Sequence, residues 1–267
     1  MTKHFLTVAS VLLSVAAVVL ATRSQTFTSV AFDGRVLRLL VQGSGRATVV
    51  FENGLGPSLE MWGKVQPAVS AFAKTVSYDR AGVGLSTGGA TPRDGQHVAD
   101  DLRRALRLAN IPPPYILVGA SFGGPCVRIY AGRFPGDVAG IVLVDPTPDS
   151  SEIEGPVSEE ARALPETLNQ AKASRMPSGI PLFLIRAEAS PELPFATESI
   201  RARLFQRQDE IAAESLEHKA WIAGIPGAKL IVTHDSGHNV PIEQPDLVVA
   251  TIRRVADAIP SSRPSPR

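Results

Sequence analysis

With 267 residues, 44% of them hydrophobic, the chain is long enough to bury one sizeable core and too long to read as a miniprotein held together by staples. Its 27 basic and 26 acidic residues leave a net charge of +1, which argues against a nucleic-acid groove or a polyanionic partner. The single cysteine, Cys126, excludes an intramolecular disulfide and is expected to be a small buried hydrophobe.

At the N-terminus, Lys3 and His4 precede an apolar run from Phe5 to Leu20, and Arg23 follows it. A short basic start, an apolar stretch and small residues near Ala21 form the pattern of a secretory signal cut after Ala21. A single membrane anchor is the alternative, since the run itself is slightly short but Thr2–Thr22 could just cross a bilayer, and a buried helix is a third reading. Residues 1–21 are therefore set apart from the fold, and the domain is expected over 22–260. Its expected location is secreted or periplasmic, or membrane-anchored outside the cytoplasm.

Thr26–Phe32 and Arg35–Val41 flank Asp33-Gly34, which reads as a hairpin. Ala47–Phe51 is a continuous apolar run, as expected for a strand buried on both faces. Lys74–Tyr78, Tyr115–Val118, Val138–Val144, Pro181–Ile185 and Ala228–Val232 look alike. Helical patterns fall between them. Val98, Leu102, Ala105, Leu106 and Ala109 share one face of a helix that ends before Pro112. Further helices are expected over Pro125–Gly132, Thr197–Ala220 and Gln244–Ala258, with a frayed tail at 261–267. A hairpin followed by alternating strands and helices predicts an α/β fold with a mostly parallel sheet covered on both faces. Two segments interrupt the alternation, 146–179 and 187–227, and are expected to form a small lid above the strand ends.

Four motifs carry chemistry. Gly119-Ala120-Ser121-Phe122-Gly123 follows an apolar strand and precedes a helix, the context of a G-x-S-x-G nucleophile elbow. A serine that attacks a carbonyl must be pushed out at a sharp turn, and glycines two residues to either side leave room for strand and helix to approach. Asn53-Gly54-Leu55-Gly56 follows the third strand. Tyr78-Asp79-Arg80-Ala81-Gly82-Val83-Gly84-Leu85-Ser86 follows the fourth, and Gly237-His238-Asn239-Val240-Pro241-Ile242-Glu243-Gln244-Pro245 follows the last.

In this order the motifs resemble those of α/β-hydrolase-fold serine hydrolases, the esterases and lipases, from about Val30 to the end of the last helix. The resemblance implies the α/β-hydrolase fold, an eight-stranded sheet and hydrolysis of a small-molecule ester by an acyl-enzyme route, with no cofactor or metal. It implies Ser121 as nucleophile, His238 as its base in preference to His234, and the backbone N–H groups of Leu55 and Phe122 as the oxyanion hole. Asn53 stands where the family usually has His. The acid also departs from the common pattern. The position after the Pro181–Ile185 strand, where relatives usually carry Asp, is Ser190, with Glu188 and Glu192 nearby. Asp145, at the end of Val138–Val144, matches the alternative location used by some members and is preferred, with Glu188 the competitor. Asp145 could also merely cap the next turn. Asp79 and Arg80 are expected to tie loops together. A serine at the elbow argues against epoxide hydrolases and haloalkane dehalogenases of this fold, which use Asp there. A non-catalytic binding protein on the same fold, or a hydrolase of thioesters, amides or carbon–carbon bonds, are the alternatives.

Overall fold

The computed structural model describes residues 25–56, 58–88, 92–152, 158–188 and 198–259. The N-terminal segment read as a signal or anchor and the tail at 261–267 lie outside the described residues. No described helix is long and apolar enough to cross a membrane.

Strands β1 (Gln25–Phe32) and β2 (Arg35–Gln42) pair as the expected hairpin. Its two-residue turn is Asp33-Gly34, with φ of 45° and 73°, the left-handed pair that suits the twist of a tight hairpin. Strands β3 (Thr48–Glu52), β4 (Lys74–Tyr78), β5 (Tyr115–Ala120), β6 (Val138–Val144), β7 (Leu182–Ala187) and β8 (Lys229–Thr233) complete one sheet of order β1-β2-β4-β3-β5-β6-β7-β8. Only β2 runs against its neighbours; every pair from β4 to β8 is parallel. All residues of β3, β5, β6 and β7 are buried, which is why these strands read as uninterrupted apolar runs. The edge strand β8 is only partly covered.

Helices α1 (Gln66–Val69), α2 (Gly95–Leu108), α3 (Gly123–Arg133), α4 (Glu159–Arg162), α5 (Leu164–Ala173), α6 (Glu198–Ala223), α7 (Val240–Glu243) and α8 (Pro245–Ala258) connect the strands and cover both faces. The two-residue period of β6 sorts its side chains between two cores. Ile141 and Leu143 pack with Leu106, Ile129 and Ala171 of α2, α3 and α5. Val142 and Val144 pack with Val69, Val248, Ile252 and Val255 of α1 and α8. This is the fold class the sequence predicts.

The lid differs in one respect. The second segment, 187–227, reads from the sequence as part of that lid, and its α6 is also the crossover helix between β7 and β8. Its Ile222 is buried in the same core as Leu143 and Leu184. A right-handed β–α–β crossover needs a helix against the sheet, and among the described residues α6 is the helix between these two strands in sequence.

From β3 the chain passes to β4 on one side and then returns to β5 on the other. The loops after β3 and β5 therefore diverge at the carboxyl ends of adjacent parallel strands. That crevice is where open α/β sheets bind ligands.

Candidate active site

The elbow is built as its glycines predict. Ser121 has φ 51°, a left-handed conformation that a serine adopts only when its surroundings enforce it. Three backbone hydrogen bonds hold it there: Ser121 N–H to Val144 O at 3.1 Å, and Gly124 N–H and Thr147 N–H to Ser121 O at 2.8 and 3.0 Å. A Cβ at Gly119 would lie 2.4 Å from Gly123 O, and one at Gly123 would lie 2.4 Å from Glu52 O. Strand, helix and the neighbouring strand thus approach closer than any side chain permits. Cys126, one turn into α3, is buried as expected, and burial pushes its thiol pKa well up.

Asp145 follows β6 and also has a positive φ, 41°. Its carboxylate is 2% exposed and fully engaged. Oδ1 accepts from Arg186 Nη1 at 2.8 Å and Ala187 N–H at 3.0 Å. Oδ2 lies 2.7 Å from His238 Nδ1. An ionised carboxylate only accepts, so Nδ1 carries the proton and Nε2 is left as the basic nitrogen. Asp145 does not act as a turn cap. Glu188 points elsewhere: its Oε1 accepts from Ser215 Oγ and, at 3.2 Å, from Lys219 Nζ, both on α6. The Ser215 hydroxyl and then Lys219, against the opposing effect of burial, hold its pKa below the usual carboxylate value. The structure therefore brings Asp145, and not Glu188, to His238, while His234 is exposed at the end of β8.

The histidine loop is closed by a group the sequence motif contains but did not single out. Glu243 Oε2 accepts from Gly237 N–H at 2.7 Å and from Ser236 Oγ at 3.2 Å, fixing the residues just before His238.

Ser121, Phe122, Leu55 and His238 line one cavity of about 260 Å³, together with Leu164 of α5 and Arg186 of β7. Among the described residues no hydrogen bond joins the Ser121 hydroxyl to His238, a contact of the kind that commonly tightens with substrate in place. Among the described residues, the N–H groups of Leu55 and Phe122 have no acceptor. A larger cavity of about 600 Å³ runs along the outer hairpin past Arg38, Leu40 and Leu59 and contains none of these groups.

Asn53, which replaces the expected His, has a packing reason. Its Nδ2 donates to Tyr78 O at 2.7 Å and its Oδ1 accepts from the buried Trp62 Nε1 at 2.8 Å. Asp79 ties two loops, accepting from Leu59 N–H at 2.9 Å and Leu85 N–H at 3.0 Å. Arg80, 1% exposed, sits between Glu52 and Glu160. Burial opposes its charge, but Glu160 and then Glu52 outweigh that and raise its pKa well above the ordinary value. The two carboxylates part company. Burial dominates at Glu52 and raises its pKa, whereas at Glu160 burial is outweighed by Arg80 and the pKa falls. A depressed folded-state value means that Glu160 contributes stability at neutral pH, lost as pH falls through and below the usual carboxylate range. Glu52 and Glu160 were not legible as site residues. Glu52 closes an apolar strand, and Glu160 lies in a one-turn helix whose only local signal is the Ser158 N-cap.

Comparison with known proteins agrees with this architecture. A family model described as the alpha/beta hydrolase fold matches residues 47–174. The uncharacterized protein YqjL of Bacillus subtilis (strain 168) is 33% identical over 105 residues, which are 39% of this chain and 42% of that protein. The human (Lyso)-N-acylphosphatidylethanolamine lipase is 27% identical over 181 residues, 65% of this chain and 52% of the lipase. The chain thus spans about half or less of the length of these curated relatives. An alpha/beta hydrolase fold protein from Burkholderia ambifaria superposes with a TM-score of 0.64 at 16% identity, over 84% of this chain and 96% of its own, a likeness of fold.

Proposed function

Because the chain belongs to the α/β-hydrolase-fold family, we propose that it is a serine hydrolase that cleaves carboxylic esters through Ser121, His238 and Asp145. One observation carries the reading. A serine on a strained elbow, a histidine whose tautomer is set by a buried carboxylate, and two N–H groups with no acceptor among the described residues meet at a single cavity. In the proposed reaction the Ser121 hydroxyl attacks the acyl carbon while His238 Nε2 takes its proton. The Leu55 and Phe122 N–H groups receive the negative charge that appears on the carbonyl oxygen at the tetrahedral stage. His238 then protonates the leaving alcohol. Water, deprotonated by the same nitrogen, releases the acid. Asp145 stabilises the imidazolium and keeps the ring oriented. The name of the human relative, a lipase, fits an ester-cleaving reading.

Intact-mass analysis after treatment with a fluorophosphonate tests this directly. One adduct is expected on the native protein and none on Ser121→Ala. A folded native protein that takes no adduct would favour a non-catalytic binding role instead.

The apolar run Phe5–Leu20 motivates a second proposal, that the domain works outside the cytoplasm. Expression of the full chain in a bacterial host should yield protein outside the cytoplasm, its mass showing either cleavage after Ala21 or retention of the run in the membrane fraction. Full-length protein confined to the soluble cytoplasmic fraction would overturn it.

A further inference from the structure

The loop that carries Leu55 is clamped on every side except at Leu55 itself. Asn53 O accepts from Arg80 Nη1 at 2.8 Å and Gly54 O from Arg80 Nη2 at 2.6 Å. Gly56 N–H donates to Glu160 Oε2 at 3.2 Å. Glu160 in turn grips Arg80, through Oε1 at Nε and through Oε2 at Nη2, 3.1 Å away. The Arg80 guanidinium also lies 5.2 Å over the ring of Phe122, the residue bearing the second unengaged N–H.

This arrangement is more than charge balance requires. Arg80 already has a carboxylate, Glu52, whose Oε1 is 2.6 Å from Nη1. Burying a second charge at the same arginine adds desolvation cost, and a buried ion network is weak evidence for stability. It is stronger as a means of orientation, because a guanidinium fork fixes its partners in a plane. Glu160 comes from α4, which leads directly into α5, and α5 lends Leu164 to the cavity wall. The carboxylate therefore links the segment flanking the cavity to the loop behind it.

We propose that Glu160 is a positioning residue for the oxyanion hole. Through Arg80 and Gly56 N–H it holds residues 53–56 so that the Leu55 N–H stays turned toward the cavity, and the hole is complete only while α4 is seated. This inference rests on the serine-hydrolase reading above.

The test compares Glu160→Gln and Glu160→Asp with the native protein. The glutamine keeps the shape but loses the charge. The aspartate keeps the charge but is one methylene too short to reach Arg80 and Gly56 together. Turnover of an activated ester, affinity for phenylboronic acid and thermal unfolding are measured for each. A boronate forms a tetrahedral anion on an active serine, so it reports on the hole, as the ester's KM does not. Both variants are expected to lose at least about 10-fold and up to about 1,000-fold in kcat, the larger figure being the loss when an oxyanion donor is removed outright. KM should change less than about threefold, and boronate affinity should fall in step with kcat/KM. Folded Glu160→Asp with native kcat, or a loss of kcat with native boronate affinity in either variant, would overturn the proposal. If Glu160→Gln does not fold, the aspartate variant decides alone. Native protein that neither binds boronate nor takes the fluorophosphonate would instead overturn the hydrolase reading, and this inference with it.

Discussion

Asp145→Asn is expected to lower the turnover of an activated ester by about 10⁴-fold, the loss seen when a triad acid can no longer set the histidine tautomer. The geometry explains why so small a change matters. Oδ1 is committed to Arg186 Nη1 and Ala187 N–H, so an asparagine places its carbonyl oxygen there and turns its NH2 toward His238 Nδ1. A donor facing Nδ1 forces the proton onto Nε2, and the ring can no longer accept one from Ser121. The same substitution leaves the buried Arg186 without one of its two carboxylate partners, Glu214 being the other, so unfolding in urea must accompany the kinetics. Glu188→Gln should keep turnover within about threefold, because its carboxylate serves Ser215 and Lys219, and isolated, partly exposed pairs contribute little. A larger loss in Glu188→Gln than in Asp145→Asn would overturn the assignment.

Gly123→Ala is expected to destabilise the fold by about 3 kcal/mol or more, near the upper end for single substitutions. The added Cβ would sit 2.4 Å from Glu52 O and 2.7 Å from Asn53 O, both backbone atoms. Relief would require moving either α3, which carries the elbow, or the end of β3, which leads into the Leu55 loop. Stability and turnover should therefore fall together. Gly136→Ala is the control, because nothing lies within 4 Å of a Cβ there, and it should stay within about 0.5 kcal/mol. Urea midpoints at unchanged slope measure both. Native stability in Gly123→Ala would show that the elbow can relax in a way the close approach does not suggest.

How much of this was readable in the sequence depends on how far apart the interacting residues lie. Strands buried on both faces give unbroken apolar runs, so β3 to β7 were legible within a few residues, and β4 and β6 to the residue. The elbow was legible because its constraint is local: two glycines two positions either side of one serine. Asp145 was legible as a carboxylate at a strand end, and the family resemblance preferred it to Glu188, but the physical cause of that choice was not legible. What draws Glu188 away is a pair of α6 side chains, 27 and 31 residues distant. Arg186 and Glu52 were hidden for the same reason. Each closes an apolar strand, and its partner comes from another strand's end, 41 and 28 residues away. The crossover role of α6 was hidden because the helix is long and charged and so reads as lid. Only its contact with the sheet reveals that one end is a crossover.

The position of Asp145 has a consequence for how such a protein can diversify. If the acid follows β6, then the triad carboxylate need not come from the connection between β7 and α6. The end of β7 is still required, because Arg186 and the Ala187 N–H grip Asp145. Beyond Ala187 the connection is released from supplying the acid. It can lengthen, shorten or be exchanged for that of a distant relative while the reactive groups keep their places. Selectivity for the acyl or alcohol part of an ester can then be rewritten there as a modular trait, a freedom withheld from relatives whose acid sits after this strand.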